Sequence, residues 1–334
     1  MSKRKRWLSL VLCFALLLLI LTGCSSHDIQ QSILYASSLD YSFPVITGEN
    51  IYSLGYTVQQ HDTHFHQIQL LLRSDLNGKR GIAVQIPCAF EYQADNLIII
   101  TTFLDLLKAQ DDTFHVLLRE CRYPADDKDG ASSAQAVITY RLDTLTREGT
   151  LLEQRHLTLP PVQINLRGGV VTGDTVWYAT DHSLIRLDPY VTSYYELAAP
   201  DGFSVDATEQ PMQALTNGRL LLLGKEGTEE KVLCIPFDSA DSTETVALAL
   251  PKVLHRSQFV EIPAGKEKSY ALLWNETGVY QWNIDENLLD ELVKWENTEI
   301  DATRLRYILA TEEGCLLAVE HTKDSVPVFH SVDL

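Results

Sequence analysis

Beyond residue 45 the chain is a succession of short runs rich in β-branched and aromatic residues, broken by turn residues. Such runs occupy residues 67–72, 97–102, 113–118, 136–142, 175–179, 183–187, 219–223, 231–237, 270–274 and 278–284. Runs of this composition, bounded by turn residues, read as β-strands. Between them stand Asn77-Gly78, Gly173-Asp174, Asn217-Gly218 and Glu313-Gly314, pairs that adopt positive φ easily and reverse the chain. Only residues 103–109 and 287–295 can be read as helical turns, and Asp285 with Asn287 suits a hairpin turn equally well. The pattern predicts an all-β chain.

The strands also repeat. A strand ending at an aspartate recurs at Asp143, Asp188, Asp238, Asp285 and Asp333, with spacings of 45, 50, 47 and 48 residues. Asp75, 68 residues before Asp143, reads as the first member, and the longer gap contains the polar insert 126–134. Around each marker the order is an apolar strand, a turn, a second strand, the marker strand, and a further strand such as 193–197 or 245–250. A period of 40–50 residues with four strands per unit is that of a β-propeller blade. A four-stranded sheet buries one face only by stacking on a neighbour, and a closed ring leaves no end sheet exposed. Six markers predict a β-propeller of about six four-stranded blades. The alternatives are seven blades, if residues 88–153 hold two, and a β-sandwich, which explains the strands but not the period. Asp333 lies at the end of the sequence, so the sixth blade is expected to lack its outer strand. The segment 33–45 is expected to supply it, pairing beside residues 326–331 so that N- and C-terminal strands close the ring.

Apolar residues make up 45% of the 334 and charged residues 22%, a globular rather than disordered composition. The 27 Lys and Arg against 45 Asp and Glu give a net charge of −18. Four of those cations lie among residues 3–6 and no acid precedes residue 24, so the chain from Cys24 onward carries 23 cations, 45 acids and a net −22. Such a surface repels phosphate backbones and argues against a nucleic-acid partner.

Lys3, Arg4, Lys5 and Arg6 precede an almost unbroken apolar run over residues 7–21. At about 15 residues it is short for a spanning helix, which needs roughly 20, and it fits a secretory signal. The run ends in Leu21-Thr22-Gly23-Cys24, followed by Ser25 and Ser26. Small residues ahead of a cysteine let an extended chain enter a peptidase cleft, and the thiol can take a diacylglyceryl group. This resembles the lipobox of bacterial lipoproteins. The resemblance implies a signal peptide over residues 1–23 and a covalent diacylglycerol, with palmitate-type chains, on Cys24. It further implies a lipidated tether over 24–32 and a single propeller domain over 33–334, held on the extracytoplasmic face of a bacterial cell membrane. An uncleaved anchor helix is the other reading, and it too leaves the domain membrane-attached.

Blades ending in Leu-Asp or Ile-Asp turns, as in Gly278-Val279-Tyr280-Gln281-Trp282-Asn283-Ile284-Asp285, add to the lipobox. Together they look like the propeller-type regions of surface lipoproteins from low-GC Gram-positive bacteria, over roughly residues 50–334. In that family a solute-binding domain often follows the propeller, which implies a transporter partner. No such domain is expected here, since the sequence stops at Leu334.

Cys13 belongs to the signal and Cys24 to the lipobox, which leaves Cys88, Cys121, Cys234 and Cys315 with no CxxC spacing. Apolar flanks, as in Val232-Leu233-Cys234-Ile235, predict free thiols acting as small core hydrophobes, with one bridge as the alternative. The candidate metal ligands are His61, His64 and His66, in Gln60-His61-Asp62-Thr63-His64-Phe65-His66. In an extended strand His64 and His66 share a face about 6–7 Å apart, compatible with one zinc or copper ion. His61 is expected on the preceding turn beside Asp62, and an exposed polar hairpin at a blade rim explains all three equally. Asp126-Asp127-Lys128-Asp129-Gly130 resembles the start of a calcium loop but lacks its terminal glutamate, and it reads as a solvated insertion. The marker aspartates are expected to cap tight turns.

No Gly-x-Ser-x-Gly nucleophile turn and no Gly-rich phosphate loop occurs. With 45 acids in the chain, any carboxylate pair can be assembled on paper, so abundance empties that signal. Trp177, Tyr178, Tyr194, Tyr195, Trp274, Tyr280 and Trp282 fall in strands and are expected mainly in inter-blade packing. The expected function is therefore that of a lipid-anchored, non-catalytic binding or assembly platform without a cofactor, partnered by the membrane and by an envelope protein or transporter. The alternatives are an envelope enzyme acting on glycans and a metal-binding lipoprotein using His61, His64 and His66. The channel discriminates: two facing acids with exposed aromatics favour the enzyme, and an apolar or filled channel favours the platform.

Overall fold

In the computed structural model the described residues are 44–61, 64–76, 81–85, 92–94, 97–109, 112–127, 135–159, 166–188, 193–238, 245–321 and 327–332. Their strands pair antiparallel into six sheets taken in chain order. The first holds β1 (Val45–Thr47), β2 (Asn50–His61), β3 (His64–Asp75) and β4 (Ile82–Gln85). The second holds β5 (Tyr92–Ala94), β6 (Leu97–Lys108), β7 (Phe114–Pro124), β8 (Val137–Leu145) and β9 (Leu151–Leu157). The third runs β10 (Arg167–Thr172), β11 (Thr175–Ala179), β12 (Ser183–Leu187), β13 (Tyr195–Ala198). In the fourth, β14 (Phe203–Val205) and β15 (Met212–Leu215) both pair with β16 (Arg219–Glu226), followed by β17 (Glu229–Pro236) and β18 (Val246–Ala249). The fifth has β19 (Gln258–Phe259), β20 (Ala271–Trp274), β21 (Gly278–Asn283) and β22 (Leu288–Lys294). The sixth has β23 (Leu305–Ala310), β24 (Leu316–His321) and β25 (Pro327–Val332).

Six apolar clusters join each sheet to the next, and the last returns to the first. Tyr52 and Leu71 meet Phe114 and Leu145 between the first two sheets. Leu117 and Tyr140 meet Tyr178 and Ile185 between the second and third. Trp177 and Leu184 meet Leu220 and Leu233 next, then Leu221 and Val232 meet Leu273 and Trp282. Val279 and Trp295 meet Ile308 and Ala318. Finally Leu309 and Leu317 of the sixth sheet pack on Ile46 and Ile51 of the first. This closed ring is a six-bladed β-propeller. A sandwich would place one core between two sheets, so that alternative falls. The seven-blade count falls as well, because the long interval between the first two markers is one sheet with strands of 12, 11 and 9 residues.

Asp75 closes β3, Asp188, Asp238 and Asp285 follow β12, β17 and β21, and Asp143 lies within β8, two residues before its end. Three of them take arginine partners. Asp143 and Asp188 accept from Arg141 Nε at 2.8 Å and Arg186 Nε at 2.7 Å on their own strands. Arginines of the preceding blade also reach these corners: Arg155 Nη1 donates to Asp188 O at 2.7 Å, and Arg219 Nη2 to Asp285 Oδ2 at 2.5 Å. The markers thus tie neighbouring blades.

Both helix-compatible stretches are mainly strand, residues 103–108 in β6 and 288–294 in β22, with Trp295 opening a 3-10 turn. Among the described residues helix is confined to three-residue 3-10 turns, and none is long and apolar enough to cross a membrane. Trp177, Tyr178, Trp274, Tyr280 and Trp282 are buried in the interfaces, and Tyr195 is exposed. Cys121 and Cys234 are buried free thiols, and burial pushes Cys234 up to about 11. Cys315 departs from expectation, being exposed on the turn between β23 and β24. Cys24, Cys88, Asp333, residues 128–134 and residues 33–43 lie outside the described residues, and Val45 begins β1.

Candidate functional site

The innermost strands β1, β6, β10, β15, β19 and β23 converge on the propeller axis. Residues from all six blades, among them Leu107, Val171, Met212, Val260 and Leu309 with Val45, line a partly open cavity of about 40 Å³. That is room for about three water molecules at roughly 10–15 Å³ each. The cavity is small because the connection from β19 to β20, residues 260–270, reaches across the channel. Ala264 of that connection packs against the cluster between the second and third blades, on the far side of the axis. Lys268 forms a parallel bridge with Leu215, and Thr216 N donates to Lys268 O at 3.0 Å. Gln213 holds the returning end: its Nε2 donates to Tyr270 O at 3.0 Å and its Oε1 accepts from Leu272 N at 2.8 Å.

Two carboxylates stand in this core. Asp105 sits where the pairing of β6 with β7 shifts register, between Phe103 and Asp105, and is 5% exposed. Its Oδ1 accepts from Leu106 N at 2.9 Å. Burial pushes its pKa up to about 7, against the pull of the Leu106 and Gly169 amides. The Tyr178 hydroxyl also lowers it, close to the carboxyl but outside hydrogen-bond geometry. Tyr178 in turn is driven well above its ordinary value, by burial first and then by the Asp105 charge. Gly169 makes the approach feasible, since a Cβ there would lie 2.6 Å from Asp105 Oδ2 and 2.7 Å from Leu107.

Glu261 is the second acid. It lies at the start of the crossing connection and pairs in parallel with Leu309 of the sixth blade. The residue keeps some exposed area, but its Oε2 is buried without a hydrogen-bond partner. Burial, then the Asp105 charge, raises its pKa well above the carboxylate range. Neither acid was singled out from the sequence, where each was one of 45. The available signal was a lone carboxylate in an apolar run, Phe103-Leu104-Asp105-Leu106-Leu107 and Phe259-Val260-Glu261-Ile262.

A charged network lies beside the channel where the sixth, first and second blades meet. Lys108, 8% exposed, pairs with Glu312 and with Asp112 Oδ1 at 3.5 Å. Asp112 pairs with Arg147, whose Nη2 donates to Thr47 Oγ1 at 2.9 Å. Its ion pairs stitch three blades together, while Arg147 Nε is buried without a hydrogen-bond partner.

The predicted histidines fall elsewhere, at the tip of the β2–β3 hairpin. The backbone pairs His61 with His64 and Gln59 with His66. His61 therefore ends β2 rather than standing on a turn before the strand pair. Among the described residues no group of three His, Cys, Asp or Glu is placed to hold a metal ion.

Ring, plug and buried acids define a six-bladed β-propeller with a filled channel. No family model matches the chain, and no curated protein matches it. Similar solved structures include the Pyrococcus horikoshii acylaminoacyl peptidase, at 11% identity and a TM-score of 0.43, covering 90% of this chain and 52% of that one. A post-proline cleaving enzyme from Rickettsia typhi aligns at 11% identity and 0.38, over 87% and 59% of the two chains. The AfRom2 CNH domain aligns at 9% and 0.39, over 87% and 93%. The chain spans about half the length of the acylaminoacyl peptidase and 59% of the post-proline cleaving enzyme. At these identities the likeness is one of fold.

Proposed function

We propose that the chain is a lipid-anchored, extracytoplasmic binding or assembly platform, accessory to solute uptake, that acts through its outer surfaces rather than by catalysis in its channel. The filled channel supports this reading most directly. Glycoside cleavage from a propeller axis needs two carboxylates reached by solvent and substrate, with aromatic faces for the sugar to stack on. Here Asp105 is 5% exposed, Tyr178 beside it 1%, and Ala264 of the β19–β20 connection packs across the axis against the cluster between the second and third blades. The acidic chain beyond Cys24 favours attachment by lipid over attachment by charge.

Three measurements test it. Mass spectrometry of the membrane-extracted chain is expected to find a diacylglyceryl-modified Cys24 at the N-terminus, and an unmodified peptide spanning residues 20–30 overturns the anchor. The purified chain is expected to leave peptidoglycan and peptides intact, and turnover that disappears in Asp105→Asn or Glu261→Gln overturns the platform. Cross-linking on native membranes is expected to recover one envelope protein or permease reproducibly.

The β2–β3 register supports a second reading, metal capture, because it sets His61 across from His64 with His66 two positions further along the same strand. This reading expects a stoichiometric rise in Tm with zinc or copper that is absent from the His64→Ala, His66→Ala variant. An equal rise in that variant removes it.

A further inference from the structure

We propose that the channel core binds a divalent cation of the calcium class, held through oxygen by Asp105 of the second blade and Glu261 at the start of the crossing connection, with Tyr178 and Gln258 supplying neutral oxygens. The ion is structural: it fastens the connection across the axis and takes no part in chemistry. It is independent of lipid anchoring and of any partner.

Charge is the first argument. A buried charge is normally paired with an opposite one or coordinates a metal. Among the described residues neither Asp105 nor Glu261 has an ion-pair partner. Lys108, three residues beyond Asp105, is taken by Glu312 and Asp112. The charge acting on Asp105 is that of Glu209, and the charge acting on Glu261 is that of Asp105, so each is repelled rather than compensated.

Unmade hydrogen bonds are the second. The Tyr178 hydroxyl, on a side chain 1% exposed, has no hydrogen-bond partner and lies against the Asp105 carboxyl. Glu261 Oε2 is buried and also unpartnered. Gln258 Nε2 donates to Arg306 O at 3.5 Å, which leaves its Oε1 buried and unpartnered in a recess that Glu261 also lines. Leaving a buried oxygen unsatisfied costs stability, and one cation satisfies several at once.

The donor set selects the ion. The residues lining the cavity and this recess include no Cys or His. An all-oxygen set suits a hard cation rather than zinc or copper. Calcium takes about 6–8 oxygens in a flexible geometry, water among them. The cavity of about 40 Å³ that Glu261 lines has room for about three waters to complete the shell.

The backbone holds both acids in position. Asp105 comes close to β10 because residue 169 is glycine, where a Cβ would lie 2.6 Å from Asp105 Oδ2. Glu261 is clamped to β23, its N donating to Ile308 O at 2.9 Å and its O accepting from Ala310 N at 2.8 Å. A cation shared by the two carboxylates therefore ties the crossing connection to the second blade at the axis.

The test titrates calcium chloride into the chelator-treated full chain in detergent at pH 8, read by calorimetry and by thermal melting. One ion per chain is expected, with Tm rising by about 2–4 °C at roughly ten times the Kd. Asp105→Asn and Glu261→Gln are each expected to lose the binding heat and the Tm rise. Both are expected to melt no lower than the calcium-free unsubstituted chain, since a neutral amide removes the repulsion; loss of binding is thus told apart from failure to fold. Tyr178→Phe, which keeps the ring, is expected to weaken binding about tenfold. The His64→Ala, His66→Ala variant is expected to keep the full response, which separates this site from the β2–β3 hairpin. An undiminished response in Asp105→Asn and Glu261→Gln means an adventitious ion on surface acids only and overturns the proposal. No calcium binding by the unsubstituted chain assigns the pair to a shared proton and overturns it as well, leaving the platform reading in place.

Discussion

Asp105 shows how one residue departs from its own chemistry when others close around it. In an unfolded chain it titrates near 3.9, and in the folded one it is pushed up to about 7. Between those values the folded state holds a proton that the unfolded state has released, so unfolding free energy falls as pH rises from about 4 to about 7 and levels off above. At 1.36 kcal/mol per unit the full effect is about 4 kcal/mol as an upper bound, and Glu261 acts with the same sign. Urea unfolding at pH 5 and pH 8 is expected to show lower stability at pH 8, with most of the difference gone in Asp105→Asn. An undiminished difference in that variant would place its source elsewhere. The sequence displays the apolar run around Asp105 but not its depth, because burial on both faces depends on Gly169 and Tyr178, more than 60 residues away.

At the scale of elements, the two stretches that read equally as helix share a physical origin. An innermost strand is covered on both faces, so 103–107 lost the alternation that marks a half-buried strand, and the register shift at Asp105 removed what was left. An outermost strand is covered on neither side for most of its length, as in β22, where Leu288 is 57% exposed. The marker strands lie between these extremes and were legible for that reason. Their aspartates differ in worth. Asp143 is fully buried against Arg141, so Arg141→Ala leaves a buried charge without its ion-pair partner and is expected to cost about 3–5 kcal/mol. Arg219→Ala removes a tie to the exposed Asp285 and is expected to cost about 1 kcal/mol or less. Denaturant midpoints of the two variants check the contrast, and equal losses would contradict it.

At the scale of the molecule, stability depends on closing the ring, and the sixth, first and second blades are joined by charge as well as by apolar packing. Lys108 holds the Glu312 carboxyl below the usual carboxylate range, and Arg147 does the same to Asp112. Depressed carboxylates stabilise the fold at neutral pH and lose that contribution as pH falls through their folded values, below about 4. Lys108→Ala is expected to cost about 2 kcal/mol at pH 7, as for hydrogen bonds to charged groups, and less at pH 3. A loss that does not shrink in acid would show that Lys108 acts through its packed alkyl stem instead.

Strand class and blade period were determined by the sequence alone, because each blade carries its own turn residues and its own marker within about 50 contiguous positions, whereas the choice of six blades over seven needed the sheet pairing. A local repeat is written locally and needs no knowledge of the other blades. The filled channel, the burial of Asp105 and Glu261, the arginine ties between markers and the pairing of His61 with His64 were decided only in three dimensions. Each depends on residues from different strands meeting at one point, and the axis of a propeller is where the most distant parts of the chain converge.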